Sequence, residues 1–202
     1  MKYLFIVQGE GRGHLTQAIS LSQMLRHHGH EVVEVLVGKS SNREIPSFFL
    51  EKIGAKVKTF ASPNFCYGRD HKKVKLAKSI LLNITVKKLR EYRKSVNLIH
   101  RHIQKMEPDV VINFYEILAG LVNLRFREHV PFVCIAHQFL MKHPDYQYGN
   151  GTRKEEILLR LNNTLCSIGA TKTLALSFYP LKDFYQERMA VVPPLLREEV
   201  LQ

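Results

Sequence analysis

Five apolar residues, Tyr3-Leu4-Phe5-Ile6-Val7, run straight into Gln8-Gly9-Glu10-Gly11-Arg12-Gly13-His14. Behind that turn Leu15, Ala18, Ser22 and Leu25 fall at once into the spacing of a helix face. A continuous apolar run of strand length reads as a strand buried on both faces, and Gly29 stands where a helix-stopping glycine belongs. Glu31–Val37 and Ala55–Phe60 repeat the strand pattern, with a helix over Ser47–Ile53 between them. Parallel strands can be joined only by crossovers, so this alternation predicts an α/β, Rossmann-like fold: a mostly parallel, doubly wound sheet with helices on both faces.

The rest of the chain continues the pattern. Pro63–Asp70 reads as a loop. His71–Met106 reads as one long helix or two, with a break near Asn83-Ile84-Thr85 and an apolar stripe of Leu82, Val86, Leu89, Tyr92, Val96, Ile99 and Ile103. A fourth strand, Val110–Ile112, leads to a helix ending near His129, and a fifth, Phe132–Ala136, leads to a loop over His137–Thr152. A helix over Lys154–Ile168 and strands at Thr173–Ser177 and Met189–Val192 bring the expected sheet to about seven strands. A chain of 202 residues, 45% hydrophobic with a mean hydropathy of −0.15, is neither a disordered tail nor a membrane bundle. The opening apolar run is too short for a signal peptide or a membrane span, which points to the cytoplasm. Cys66, Cys134 and Cys166 lie in no metal-ligand spacing, and His27, His28 and His30 suit a helix C-terminus without a metal.

Chemistry concentrates in the glycine turn. Glycines let a backbone approach a ligand closely, and a helix start offers free N–H groups to an oxyanion or a sugar hydroxyl. A tight strand-to-helix connection explains the same glycines. The dinucleotide pattern fits poorly: the third glycine comes one residue early, and strand two ends Leu36-Val37-Gly38 with no acid. The lysine of a phosphate-binding P-loop is absent. An imidazole in a helix's first turn is kept neutral by the dipole, so His14 can act as a general base, or simply cap and pack. A base needs an orienting carboxylate, and Glu116, expected at the same carboxyl edge of the sheet, is the candidate.

Taken together, Gly9-Glu-Gly-Arg-Gly-His14-Leu-Thr-Gln-Ala, Pro108-Asp-Val-Val-Ile-Asn-Phe-Tyr-Glu116, Pro131-Phe-Val-Cys-Ile-Ala-His137-Gln138 and Val191-Val-Pro193-Pro194 resemble the N-terminal half of GT-B glycosyltransferases. The resemblance is to the peptidoglycan N-acetylglucosaminyltransferase and UDP-glycosyltransferase families and covers essentially the whole chain. It implies an acceptor-binding domain over residues 1–195, with 196–202 opening a linker to a C-terminal domain that holds the donor. It implies inverting transfer from a nucleotide-sugar, UDP-linked, to an acceptor hydroxyl, with no bound metal or other cofactor. His14 would deprotonate the acceptor, and Glu116 would pair with it. Gly9, Gly11, Arg12, Gly13, His137 and Gln138 would line the substrate cleft. Relatives often carry Asp just after strand four, where this chain has Asn113-Phe114, which puts the His14–Glu116 pair in doubt. Two rivals stay open: a non-catalytic acceptor-binding subunit that pairs with a separate donor-binding chain, and an NAD(P)-binding oxidoreductase domain.

The charge is uneven. Of the net +12, ten units lie between His71 and Lys105, where eleven lysines and arginines meet one acid, Glu91. Charge runs of this kind are usually a solvated helix face. An amphipathic basic helix beside an acceptor cleft also suits an anionic membrane surface and a lipid-linked acceptor. No motif for nucleic acid accompanies it, so nucleic acid is not an expected partner.

Overall fold

The computed structural model describes residues 1–63, 83–147 and 153–196. Seven strands form one sheet in the order β3-β2-β1-β4-β5-β6-β7, with every neighbouring pair parallel. They are β1 (Lys2–Gln8), β2 (Glu31–Lys39), β3 (Val57–Ala61), β4 (Val110–Phe114), β5 (Phe132–Ala136), β6 (Lys172–Leu176) and β7 (Met189–Val192). Between them run α1 (Arg12–His27), α2 (Ser47–Lys52), α3 (Val86–Met106), α4 (Ile117–Phe126) and α5 (Arg153–Cys166).

The sheet is wound in both directions from β1 and β4, so its two faces are covered by different helices. Phe5, Val7, Val35 and Val37 point to one side, where α1 and α2 bury Leu15, Ala18, Ile19, Phe49 and Ile53. Leu4, Ile6, Leu36 and Val111 point to the other, against Tyr92, Val96, Ile99 and Ile103 of α3 and Leu118, Ala119 and Val122 of α4. Adjacent residues of β1 thus feed opposite cores, which is why its apolar run does not alternate. Gly29 takes the expected helix-stopping place at φ +73°, and His30 donates its N–H to Leu25 O at 2.9 Å.

Three expectations are corrected. The helix after β4 stops at Phe126 and not near His129, because Arg127 adopts a left-handed conformation and donates its N–H to Asn123 O. The segment after β5 opens with a 3-10 helix over His137–Lys142, anchored by the fully buried Phe139. The α3 stripe is buried only from Tyr92 onward: Val86 is 68% exposed and Leu89 51%. The expected break before α3 is a helix start, with Thr85 Oγ1 accepting from Lys88 N–H at 3.2 Å. Residues 71–82 and Cys66 lie outside the described residues, as do 197–202 of the expected linker. Among the described residues no helix is long and apolar enough to cross a membrane.

Candidate active site

The strand order reverses between β1 and β4, and at such a point the flanking loops part to leave a crevice at the carboxyl edge. The β1–α1 turn supplies one wall. Gly9 is fixed by packing: its N–H donates to Gly38 O at 2.7 Å, and a Cβ would stand 2.7 Å from Val37 Cγ1. Gly11 and Gly13 differ, since a Cβ on either would meet nothing within 4 Å and neither has positive φ. Space beside both stays open, next to the free N–H groups of the first turn of α1. Arg12 is exposed at the start of that turn. Glu10, which no motif singled out, ties the turn to β2 by accepting from Ser40 N–H at 2.6 Å.

His14 is the third residue of α1, still in its first turn, and is 7% exposed. Its ring stacks on Tyr115 at 5.4 Å and faces His137 at 6.4 Å. Nδ1 is 3.3 Å from Gln17 Oε1, and Nε2 is 3.3 Å from Gln138 Nε2. Burial lowers its pKa to about 4, against the upward pull of Gln17 and with a smaller downward push from His137. The imidazole is therefore neutral near pH 7, as a base must be before it acts. His137 sits at the exposed end of the stack, with its own pKa lowered by the protein packed against the ring.

Glu116 is fully buried as the N-cap of α4, its Oε1 accepting from Ser62 Oγ at 2.6 Å and Leu118 N–H at 3.1 Å. Its Oε2 has no hydrogen-bond partner among the described residues and presses against Gly38, where a Cβ would fall 2.1 Å away. Burial pushes this carboxyl up to about 7, with Glu10 adding to the rise and the Ser62 and Leu118 hydrogen bonds opposing it. His14 and Glu116 are thus neighbours along the sheet edge whose side chains turn apart, His14 toward the 3-10 helix and Glu116 toward β2 and Ser62.

Asn113, in the Asn113-Phe114 stretch where the resemblance led to an expected Asp, is fully buried. Its Nδ2 donates to Glu116 O at 3.1 Å and Cys166 O at 2.9 Å, and its Oδ1 accepts from Glu116 N–H at 2.9 Å. Aspartate would lose both donations, so this position rivets the β4–α4 turn. The same turn carries Tyr115 at φ +61°, with its hydroxyl donating to Asn163 Oδ1 at 2.6 Å. Asn163 Nδ2 donates in turn to Gln138 O at 2.8 Å. Sequence reasoning assigns no role to Gln17, Ser62, Tyr115 or Asn163, although Gln17 stands one helical turn from His14 and Tyr115 stands inside the motif that ends at Glu116. Among the described residues no group of three His, Cys, Asp or Glu could hold a metal ion.

A fully parallel sheet in this order, with a glycine turn and a buried histidine at its reversal point, defines one Rossmann-like half of the GT-B architecture. The chain belongs to glycosyl transferase family 1, whose profile matches residues 1–202. No curated protein matches it. Among solved structures it is similar to UGT2 of Phytolacca americana complexed with UDP-2fluoro-glucose and pterostilbene, at 10% identity and TM-score 0.54, covering 88% of this chain and 48% of that one. It is similar also to UGT89C1 of Arabidopsis thaliana complexed with UDP-L-rhamnose, at 14% identity and TM-score 0.53 over 98% of this chain and 52% of that one. A third likeness is to the UDP-GlcNAc 2-epimerase of Neisseria meningitidis bound to UDP-GlcNAc, at 13% identity and TM-score 0.51 over 87% of this chain and 40% of that one. The chain thus spans about half or less of the length of the structures it matches.

Proposed function

We propose that this chain is the acceptor-binding half of a glycosyltransferase that moves a sugar from a UDP-linked donor to an acceptor hydroxyl with inversion, and that His14 is its general base. Residues 1–195 would form the acceptor domain and a further domain would hold the donor. The observation that carries the reading is His14 itself: a neutral imidazole, buried in the first turn of α1, beside two glycines with open space where a side chain would stand. In the reaction the acceptor's hydroxyl proton passes to His14 as the oxygen attacks the anomeric carbon and the nucleotide diphosphate departs with its bonding pair. Gly11, Gly13 and the first-turn N–H groups would face the donor diphosphate or acceptor oxygens, and Arg12 would supply charge at the mouth.

His14→Ala, assayed in the full protein with a panel of UDP-sugars, is expected to lower turnover by about 10²–10⁴-fold, the usual worth of a positioned base. Normal turnover with the natural acceptor overturns the assignment.

A second observation favours a membrane-bound or lipid-linked acceptor. A groove of about 540 Å³ opens between α3 and α4, lined by Ile84, Leu89, Tyr92, Val96, Leu121 and Leu124, with Arg93 and Arg125 on its walls. Ile84 and Leu124 are more than 60% exposed. Lys87, Arg90 and Lys94 follow on the same stretch of α3, and each cation near an anionic leaflet contributes about 1 kcal/mol. Cosedimentation with phosphatidylserine vesicles should be strong at low salt, fall as salt rises, and weaken in Leu89→Asp. Equal binding to neutral vesicles removes this reading.

A further inference from the structure

A base that accepts a proton becomes a cation, and the carboxylate expected to steady it, Glu116, is engaged with Ser62 and Leu118 instead. What faces the His14 ring is a pair of amides. A neutral imidazole carries one N–H and one lone pair. Gln17 Oε1 can only accept, which puts the proton on Nδ1, and Gln138 Nε2 can only donate, which puts the lone pair on Nε2. The two contacts demand the same tautomer.

Gln138 is anchored at one end and loose at the other. Its main-chain carbonyl accepts from Asn163 Nδ2, and Asn163 is held by the hydroxyl of Tyr115, the residue stacked on His14. Its side-chain Oε1, however, is buried without a hydrogen-bond partner among the described residues. Turning the amide over breaks no hydrogen bond at Oε1, and it brings that oxygen to the place where Nε2 stood.

We propose that Gln138 is a two-way positioning residue for His14: its N–H holds the resting neutral ring as the Nδ1–H tautomer until the acceptor hydroxyl takes its place at the Nε2 lone pair, and once the ring is protonated the same amide turns to offer Oε1 to the new Nε2–H. The proposal rests on reading His14 as the base. The proton that leaves the acceptor hydroxyl goes to Nε2, the oxygen's electron pair forms the glycosidic bond as the diphosphate leaves with its own, and the second ring proton stays on Nδ1, donated to Gln17 Oε1. Two neutral amides thus do the orienting work of a carboxylate, supplying dipoles where a carboxylate would supply full charge. The other titratable groups facing the ring are His137 of the 3-10 helix and Tyr115 of the β4–α4 turn.

The test is nitrogen NMR of the chain labelled at histidine, with no donor or acceptor present. Wild type is expected to show His14 as the Nδ1–H tautomer, the reverse of free histidine. Gln138→Glu, which can only accept when ionised, should switch it to Nε2–H and raise its proton affinity about tenfold or more, with the His137 titration as internal control. Gln138→Leu, a variant with no added charge to bury, should keep Nδ1–H while the Nε2 resonance moves to that of an unbonded lone pair. An Nε2–H tautomer in wild type, or a His14 signal unchanged in the folded variants, overturns the proposal. These signals need no turnover: if they appear as expected while His14→Ala remains active, it is the base assignment that fails.

Discussion

Tyr115 holds a left-handed backbone at φ +61°, a conformation that costs a bulky residue about 1–3 kcal/mol. The strain is offset by what the conformation makes possible: a ring stacked on His14 and a hydroxyl donated to Asn163, which fixes the main chain of Gln138. Tyr115→Phe keeps the ring and removes the hydroxyl, leaving buried Asn163 Oδ1 unpaired, and should cost about 1–3 kcal/mol in urea unfolding. A loss within error of zero would mean that Asn163 finds another donor. At this scale the sequence disclosed His14, the open glycines and the presence of Glu116 at the same edge, because helix starts and strand ends fix where a residue stands. It did not disclose which way Glu116 turns. That is decided by Ser62, a partner 54 positions away, just as Tyr115 is decided by Asn163 at 48. No local pattern carries such pairings.

Elements were more legible, because the strands bury apolar residues on both faces and α1, α3 and α5 show their helical period. The 3-10 helix after β5 was not, since six residues give too little periodicity to tell it from a loop. The α3 stripe shows the opposite failure. Its period runs on through Leu89 and Val86, but the helix outruns the core beneath it, and those residues line the groove instead. Where α4 meets α5 the contact is closer than any pattern suggests: a Cβ on Gly120 would fall 1.8 Å from the Leu165 carbonyl oxygen. Main-chain atoms cannot yield as a side chain can. Gly120→Ala should therefore push α5 away from α4 and cost about 1–3 kcal/mol, seen as a lower Tm. The shift should loosen Asn163, which rides on α5. Thr85→Ala should cost about 1 kcal/mol by uncapping α3, a loss confined to that helix.

For the whole molecule, the two buried titratable groups of the crevice set opposing trends in stability with pH. Glu116 has a folded pKa raised to about 7 from 4.5, so between those values the native state holds more protons than the unfolded one. Its contribution to stability is most favourable below pH 4.5 and is lost as pH rises to about 7. His14 has a folded pKa lowered to about 4 from 6.5, so over that window the unfolded state holds more protons. Its contribution is fully present above pH 6.5 and is lost as pH falls to about 4, with His137 adding the same sign. Each swing is on the order of 3 kcal/mol, and the windows overlap over most of their width, so the pair largely cancels in the native protein. Single variants separate them. Glu116→Gln, which keeps an oxygen for Ser62 and Leu118, should leave a protein whose urea midpoint climbs from pH 4 to 6.5. His14→Gln should leave one whose midpoint falls from pH 4.5 to 7. Parallel curves for wild type and both variants would mean that neither group is held away from its ordinary titration, and would remove the physical ground for treating this crevice as a place where a neutral base is kept.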